Sequence, residues 1–84
     1  MDIGVEISLY PLAEDYIPPI ADFIKRLNAH AGLKVVTNSM STQVFGEYGQ
    51  VFAVLAAECR RTFEGEGKAV FVMKVLGPLA DPPG

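Results

Sequence analysis

Residues 3–10 alternate: Ile3, Val5, Ile7 and Leu9 stand on one side, and Gly4, Glu6, Ser8 and Tyr10 on the other. A period of two with β-branched residues predicts a half-buried strand. Pro11, which brings no backbone N–H to a ladder, is expected to end it. The spacing then changes. Ile17, Ile20, Phe23, Ile24 and Leu27 recur every three or four residues, the stripe of an amphipathic helix over residues 16–31. Asp15 suits its N-cap, Pro18 and Pro19 are tolerated in a first turn, and Gly32 supplies the stop. Residues 33–39 and 41–45 read as two short strands, the first with Leu33, Val35 and Thr37 on one face. They turn back at residues 38–40, and Gly46 closes the hairpin. A second helix over residues 48–63 is expected to turn Val51, Phe52, Leu55, Cys59 and Phe63 inward and Glu58, Arg60 and Arg61 outward. Residues 64–67 read as a turn and residues 68–76 as a last strand.

The order strand, helix, strand, strand, helix, strand predicts an α+β, ferredoxin-like βαββαβ fold: a four-stranded antiparallel sheet with two helices on one face. Residues 1–76 form one such domain, and residues 77–84, with three prolines, read as a flexible tail. The last strand breaks the alternation expected of a sheet covered on one side. Ala69, Val70, Phe71, Val72 and Met73 offer apolar groups to both faces, and Tyr10, Val36 and Met40 add to the face without helices. An exposed apolar patch of that kind marks an interface or a ligand site.

Composition sharpens this picture. Half of the 84 residues are apolar, which is generous for a single minimal domain and points to surface covered by a second copy of the chain. Seven Lys and Arg against ten Asp and Glu leave a net charge of −3, which argues against a nucleic-acid partner. A single Cys excludes an internal disulfide and a multi-cysteine metal site, and with no signal-peptide pattern the expected location is the cytoplasm. No apolar run approaches the ~20 residues of a membrane span, so no membrane partner is expected.

The chemistry inventory is thin. His30, the only imidazole, reads more simply as a residue favouring a helix C-terminus than as a general base. Cys59 falls on the inner helix stripe and reads as a small hydrophobe. There is no CxxC pair and no phosphate-cradling glycine motif. The open face lacks the aromatic and basic residues of an RNA-binding sheet, and the loop after the first strand lacks the Arg that a phosphatase of this fold would need. No catalytic and no metal-binding residue is therefore assigned. What remains is two polar clusters: Ser8-Leu9-Tyr10-Pro11 at the end of the first strand, and Asn38-Ser39-Met40-Ser41-Thr42 at the hairpin. In this topology they lie close together. Hydroxyls and an amide beside Tyr10 and Met40 suit a small, flat heteroaromatic ligand; ordinary turn chemistry accounts for the same residues.

The run Ile7-Ser8-Leu9-Tyr10-Pro11-Leu12 before a first helix, followed by Met40-Ser41-Thr42, Gly46-Glu47 and Val51-Phe52, resembles the thiamine-binding YkoF-type family from Val5 to about Leu76. The resemblance implies a ferredoxin-like domain that binds thiamine, largely through its aminopyrimidine ring, with no catalytic step. It implies ligand contacts at Leu9 and Ser41, with Thr42, Asn38 and Tyr10 as neighbours, and it leaves Glu6 either as a partner for the ligand or as an ordinary interface carboxylate. Thiamine, or its hydroxymethylpyrimidine moiety, would be a bound ligand and not a cofactor; no cofactor is expected. Some members of that family fuse two such domains. A single copy implies a homo-oligomer, a dimer or tetramer through the open sheet face. The resulting expectation is a non-catalytic binding protein in thiamine salvage, transport or sensing. The alternatives are an oligomeric structural or regulatory module without a small ligand, whose assembly a charge at Val72 or Phe71 would break, and an enzyme acting on a small heterocycle.

Overall fold

A computed structural model describes residues 1–80. The elements are β1 (Asp2–Pro11), α1 (Ile17–Asn28), β2 (Lys34–Thr37), β3 (Thr42–Glu47), α2 (Tyr48–Glu66) and β4 (Ala69–Leu79). The strands form one antiparallel sheet in the order β2-β3-β1-β4. This is the ferredoxin-like βαββαβ fold. The inward row of β1 does what its alternation requires: Ile3, Val5, Ile7 and Leu9 are buried against Phe23 and Leu27 of α1 and Val51, Val54 and Leu55 of α2. Residues directly opposite in adjacent strands share a face. The register therefore puts Thr42, Val44, Phe71 and Met73 on the helix side, and Gln43, Phe45, Val70, Val72, Lys74 and Leu76 on the open side with Glu6, Ser8 and Tyr10. Phe71 thus belongs to the covered face. It packs on Phe23 at 5.0 Å and on Phe63 at 5.4 Å between ring centroids.

Several boundaries differ from the sequence pattern, each for a local reason. The helix α1 starts with Tyr16 as N-cap, without a side-chain cap bond, and not with Asp15. It ends at Asn28, where the Ala29 amide bonds back to the Arg26 carbonyl at 3.2 Å; Gly32, at φ +85°, serves the turn that follows. Ile17, in the first turn, is exposed. Gly46 does not close the hairpin but lies within β3 opposite Ile3. A Cβ at Gly46 would come within 2.6 Å of Leu33 Cδ2 and 3.3 Å of Val51 Cγ2, so the missing side chain is what lets α2 and Leu33 close onto the strand. Glu47 then caps α2, accepting from the Gly49 amide at 2.8 Å and the Gln50 amide at 3.3 Å. Those bonds, the Gly49 amide foremost, hold its carboxyl below the ordinary carboxylate range. The residues read as a turn are helical to Glu66, and the helix stops only at Gly67, whose φ of +81° a side chain would resist. The strand β4 continues past Leu76 to pair Leu79 with Asp2, which takes residues 77–79 out of the expected tail; residues 81–84 lie outside the described residues.

The largest correction concerns α2. Its buried stripe is Val51, Val54, Leu55, Glu58 and Thr62, so Glu58 points inward and Phe63, 47% exposed, lies at the margin. A carboxylate can be buried to 1% exposure only if its charge is met. Here Arg26 Nη1 donates to Glu58 Oε1 at 2.6 Å, His30 Nε2 lies 2.7 Å from Oε2, and Arg61 Nη1 reaches Oε2 at 3.4 Å. Arg26 also donates to the Glu58 carbonyl at 3.0 Å, to Thr62 Oγ1 at 2.8 Å and to Asp22 at 2.8 Å, which ties α1 to α2. Burial pushes the Glu58 carboxyl up, but the bonds from His30 and Arg26 and the charges of Arg61 and Arg26 outweigh it and hold the carboxyl below its ordinary value. An ionised carboxylate only accepts, so Nε2 of His30 carries a proton.

A folded-state value lower than the unfolded one gives stability that is fully present above about pH 4.3 and is lost as pH falls through the folded value. Urea midpoints are therefore expected to hold between about pH 7 and 5 and to fall on further acidification. In Glu58→Gln that acid-side fall should be shallower; equal slopes for the two proteins would remove Glu58 from the account.

Candidate functional site

At the C-terminal end of β1, the strand, the loop that leaves it, the first turn of α1 and the β2–β3 hairpin enclose a cavity of about 400 Å³. That is within the range of small-molecule sites. Ser8, Leu9, Tyr10 and Pro11 come from β1; Asn38, Ser39, Met40 and Ser41 come from the hairpin. These two groups are the polar clusters of the sequence, brought together because β3 pairs with β1 as far as Ile7 opposite Thr42. The remaining wall is Ala13, Tyr16 and Ile20, which sequence periodicity assigned only to a loop and a helix stripe. The available signal for them was Tyr16 directly before a Pro-containing first turn: the prolines fix where the chain enters the helix and leave Tyr16 outside it.

The hairpin holds its shape through Asn38. Its Oδ1 accepts from the Met40 amide at 2.8 Å and the Ser41 amide at 3.0 Å, and its own amide donates to the Ser41 carbonyl at 3.0 Å. Turn chemistry is therefore present and occupies the side-chain Oδ1 and the backbone amide of Asn38; the side-chain NH₂ is what Asn38 has left to offer a ligand. Ser41 is partly buried, whereas Tyr10, Tyr16 and Met40 are 56%, 55% and 84% exposed, so the mouth is broad, with aromatic and thioether walls. Of the five residues expected at the site, Leu9, Tyr10, Asn38 and Ser41 line the cavity. Thr42 stands apart: it is 5% exposed on the helix side, with its hydroxyl 3.2 Å from that of Thr37.

Glu6 is not in this cavity. It lines a second hollow of about 340 Å³ on the open sheet face, with Gln43, Phe45, Lys74 and Leu76, and lies 3.9 Å from the Lys74 ammonium. Gly4 is part of that floor because the Phe45 ring lies across it: a Cβ there would meet the ring at 2.8 Å. His30 and Cys59 belong to the helix layer. His30 faces Glu58, and burial raises the Cys59 thiol above its ordinary value, which keeps it neutral. Among the described residues no cluster of three or more His, Cys, Asp or Glu side chains could hold a metal ion, and no helix is long and apolar enough to cross a membrane.

The sequence matches the model of the YKOF-related family over residues 2–75. Comparison with curated proteins finds no match. Among solved structures, a Streptococcus pneumoniae protein superposes with a TM-score of 0.87 at 16% identity, covering 95% of this chain and 90% of its own. A Thermotoga maritima protein, a proposed thiamine biosynthesis/salvage protein, gives a TM-score of 0.81 at 19% identity over 89% of this chain and 82% of its own. A hypothetical protein of Methanocaldococcus jannascii also gives 0.81, at 18% identity over 95% and 84%. At these identities the superpositions speak for the shared fold.

Proposed function

The chain belongs to the YKOF-related family, and from that membership we propose that it is a non-catalytic binding protein for thiamine or its hydroxymethylpyrimidine moiety, acting in the cytoplasm in salvage, transport or sensing. The observation that carries this reading is the meeting of both polar clusters in one cavity with aromatic walls. A flat aminopyrimidine needs apolar surfaces to stack on and a few fixed polar groups in its plane. Tyr10 and Met40 supply the walls with Leu9, and the Ser41 hydroxyl, the Asn38 NH₂ and strand-end backbone groups supply the polar contacts. Thr42 acts beneath the site by tying the two hairpin strands together through Thr37. The fold relationship to a proposed thiamine salvage protein supports the same ligand class. Neither His30 nor Cys59 lines the cavity, and no lining side chain is a strong base or nucleophile, which supports binding without turnover. Calorimetric titration with thiamine and with hydroxymethylpyrimidine is expected to give saturable binding of one ligand per chain. An absence of heat together with an unchanged melting temperature at millimolar ligand would overturn the reading.

A second, compatible proposal is that the open sheet face packs against another copy of the chain. Val70, Val72 and Leu76 are 45%, 52% and 67% exposed there, beside Val36 and Phe45. Tyr10 belongs both to that face and to the cavity, so a partner subunit on the sheet would close one side of the ligand site. Val72→Asp is expected to yield a monomer in sedimentation velocity, whereas Phe71, on the helix side, is the wrong position for this test. Wild-type protein sedimenting as a monomer at tens of micromolar would count decisively against the assembly.

A further inference from the structure

Resting on the reading of the cavity as a thiamine or pyrimidine site, we infer that it takes its ligand unphosphorylated and discriminates against the mono- and diphosphorylated forms. Proteins hold phosphates with arginine or lysine side chains, with glycine-rich nests of backbone amides, or with the free N–H groups of a helix N-terminus. None of these devices serves this cavity.

No lining side chain is charged. In the helix layer Arg26 is bound by Asp22, Glu58 and Thr62, and Arg61 by Glu58, while Lys25 stands with Arg26 in the last turn of α1, at the end of the helix away from the wall residues Tyr16 and Ile20. Lys74 lies beside Glu6 in the other hollow. Lys34 sits at the far end of β2, about 13 Å of extended strand from Asn38. Lys68 is tied to the loop that leaves β1, its carbonyl accepting from the Leu12 amide at 3.3 Å. Its exposed ammonium is outnumbered by two exposed carboxylates, Glu14 and Asp15, which lie in sequence between the lining residues Ala13 and Tyr16.

The helix that abuts the cavity is disarmed as an anion site. Tyr16 and Ile20 of the α1 entry line the wall, but the first turn contains Pro18 and Pro19. Each lacks the backbone N–H that a helix N-terminus would otherwise point at a phosphate. Glu14 and Asp15, just before the helix in sequence, add negative charge on the side of its N-terminus, which further disfavours an anion there. A bridging divalent cation has no ready seat either, since no cluster of three ligating side chains exists among the described residues. The same rim favours a cation, and thiamine carries one on its thiazolium ring. A carrier with this preference handles the ligand before a phosphoryl-transfer reaction consumes it.

The test is a parallel titration of the intact protein with thiamine, thiamine monophosphate and thiamine diphosphate at two salt concentrations. Thiamine is expected to bind at least about tenfold more tightly than the diphosphate, with added salt weakening the former and narrowing the gap. The double variant Glu14→Gln, Asp15→Asn, at two exposed loop positions, should narrow it as well. Thiamine binding accompanied by equal or tighter binding of the diphosphate overturns the inference and leaves the thiamine reading standing. Binding of none of the three overturns both.

Discussion

Arg26→Ala is expected to cost about 3–5 kcal/mol of folding stability, the loss seen when one partner of a buried ion pair is removed. For a domain of 84 residues this corresponds to a melting temperature lower by more than about 12 °C. The effect is large because Arg26 meets Glu58 twice, at the carboxylate and at the carbonyl, and also satisfies Thr62 and Asp22. Without it, a carboxylate at 1% exposure keeps only His30 and a long contact to Arg61. Because the penalty lies in stranding a charge, Arg26→Met combined with Glu58→Met is expected to be less damaging than Arg26→Ala alone. Thermal denaturation followed by circular dichroism of the single and double variants measures this coupling. A loss below about 1 kcal/mol for Arg26→Ala would class the contact with ordinary surface pairs.

For the ligand site, Tyr10→Ala is expected to weaken thiamine binding by about ten- to one-hundredfold, and Ser41→Ala by about three- to tenfold. Tyr10 is the larger because its ring offers both buried apolar area and a stacking face, while the Ser41 hydroxyl contributes one hydrogen bond. Tyr10 is more than half exposed, so its loss should leave the melting temperature of the free protein nearly unchanged. The combination of lost affinity with retained stability in calorimetry and thermal melts is what separates a site residue from a core residue. Unchanged affinity in both variants would move the ligand away from the β1 end.

The same residues show how far a linear reading reaches. The buried row of β1 and the Phe23 and Leu27 stripe of α1 follow from period alone, because a single covering layer needs only one apolar side. The two polar clusters were recognisable as turn and strand-end chemistry, and the topology was enough to bring them together. Glu58 was not recognisable. On α2 its position falls on the inner face, but charge normally signals solvent, and the compensation comes from Arg26 of α1 and from His30 just beyond that helix, 32 and 28 residues earlier in the chain. Gly46 is illegible for a similar reason: a glycine after a strand looks like a stop unless the neighbouring Leu33 and Val51 are known to press on it. Tyr16, Ala13 and Ile20 became cavity wall only through the path of the β1–α1 loop.

Element order, the buried side of β1 and the surplus of apolar residues in β4 were determined by the sequence itself, since local periodicity and β-propensity are properties of a few adjacent residues. Tertiary structure decided which charges may be buried, where α2 and β4 stop, which face Phe71 occupies, and that Glu6 lines a hollow separate from the cavity. Those outcomes depend on partners distant in the chain, on register between strands and on the space left by a missing Cβ, and no window of neighbouring residues contains that information.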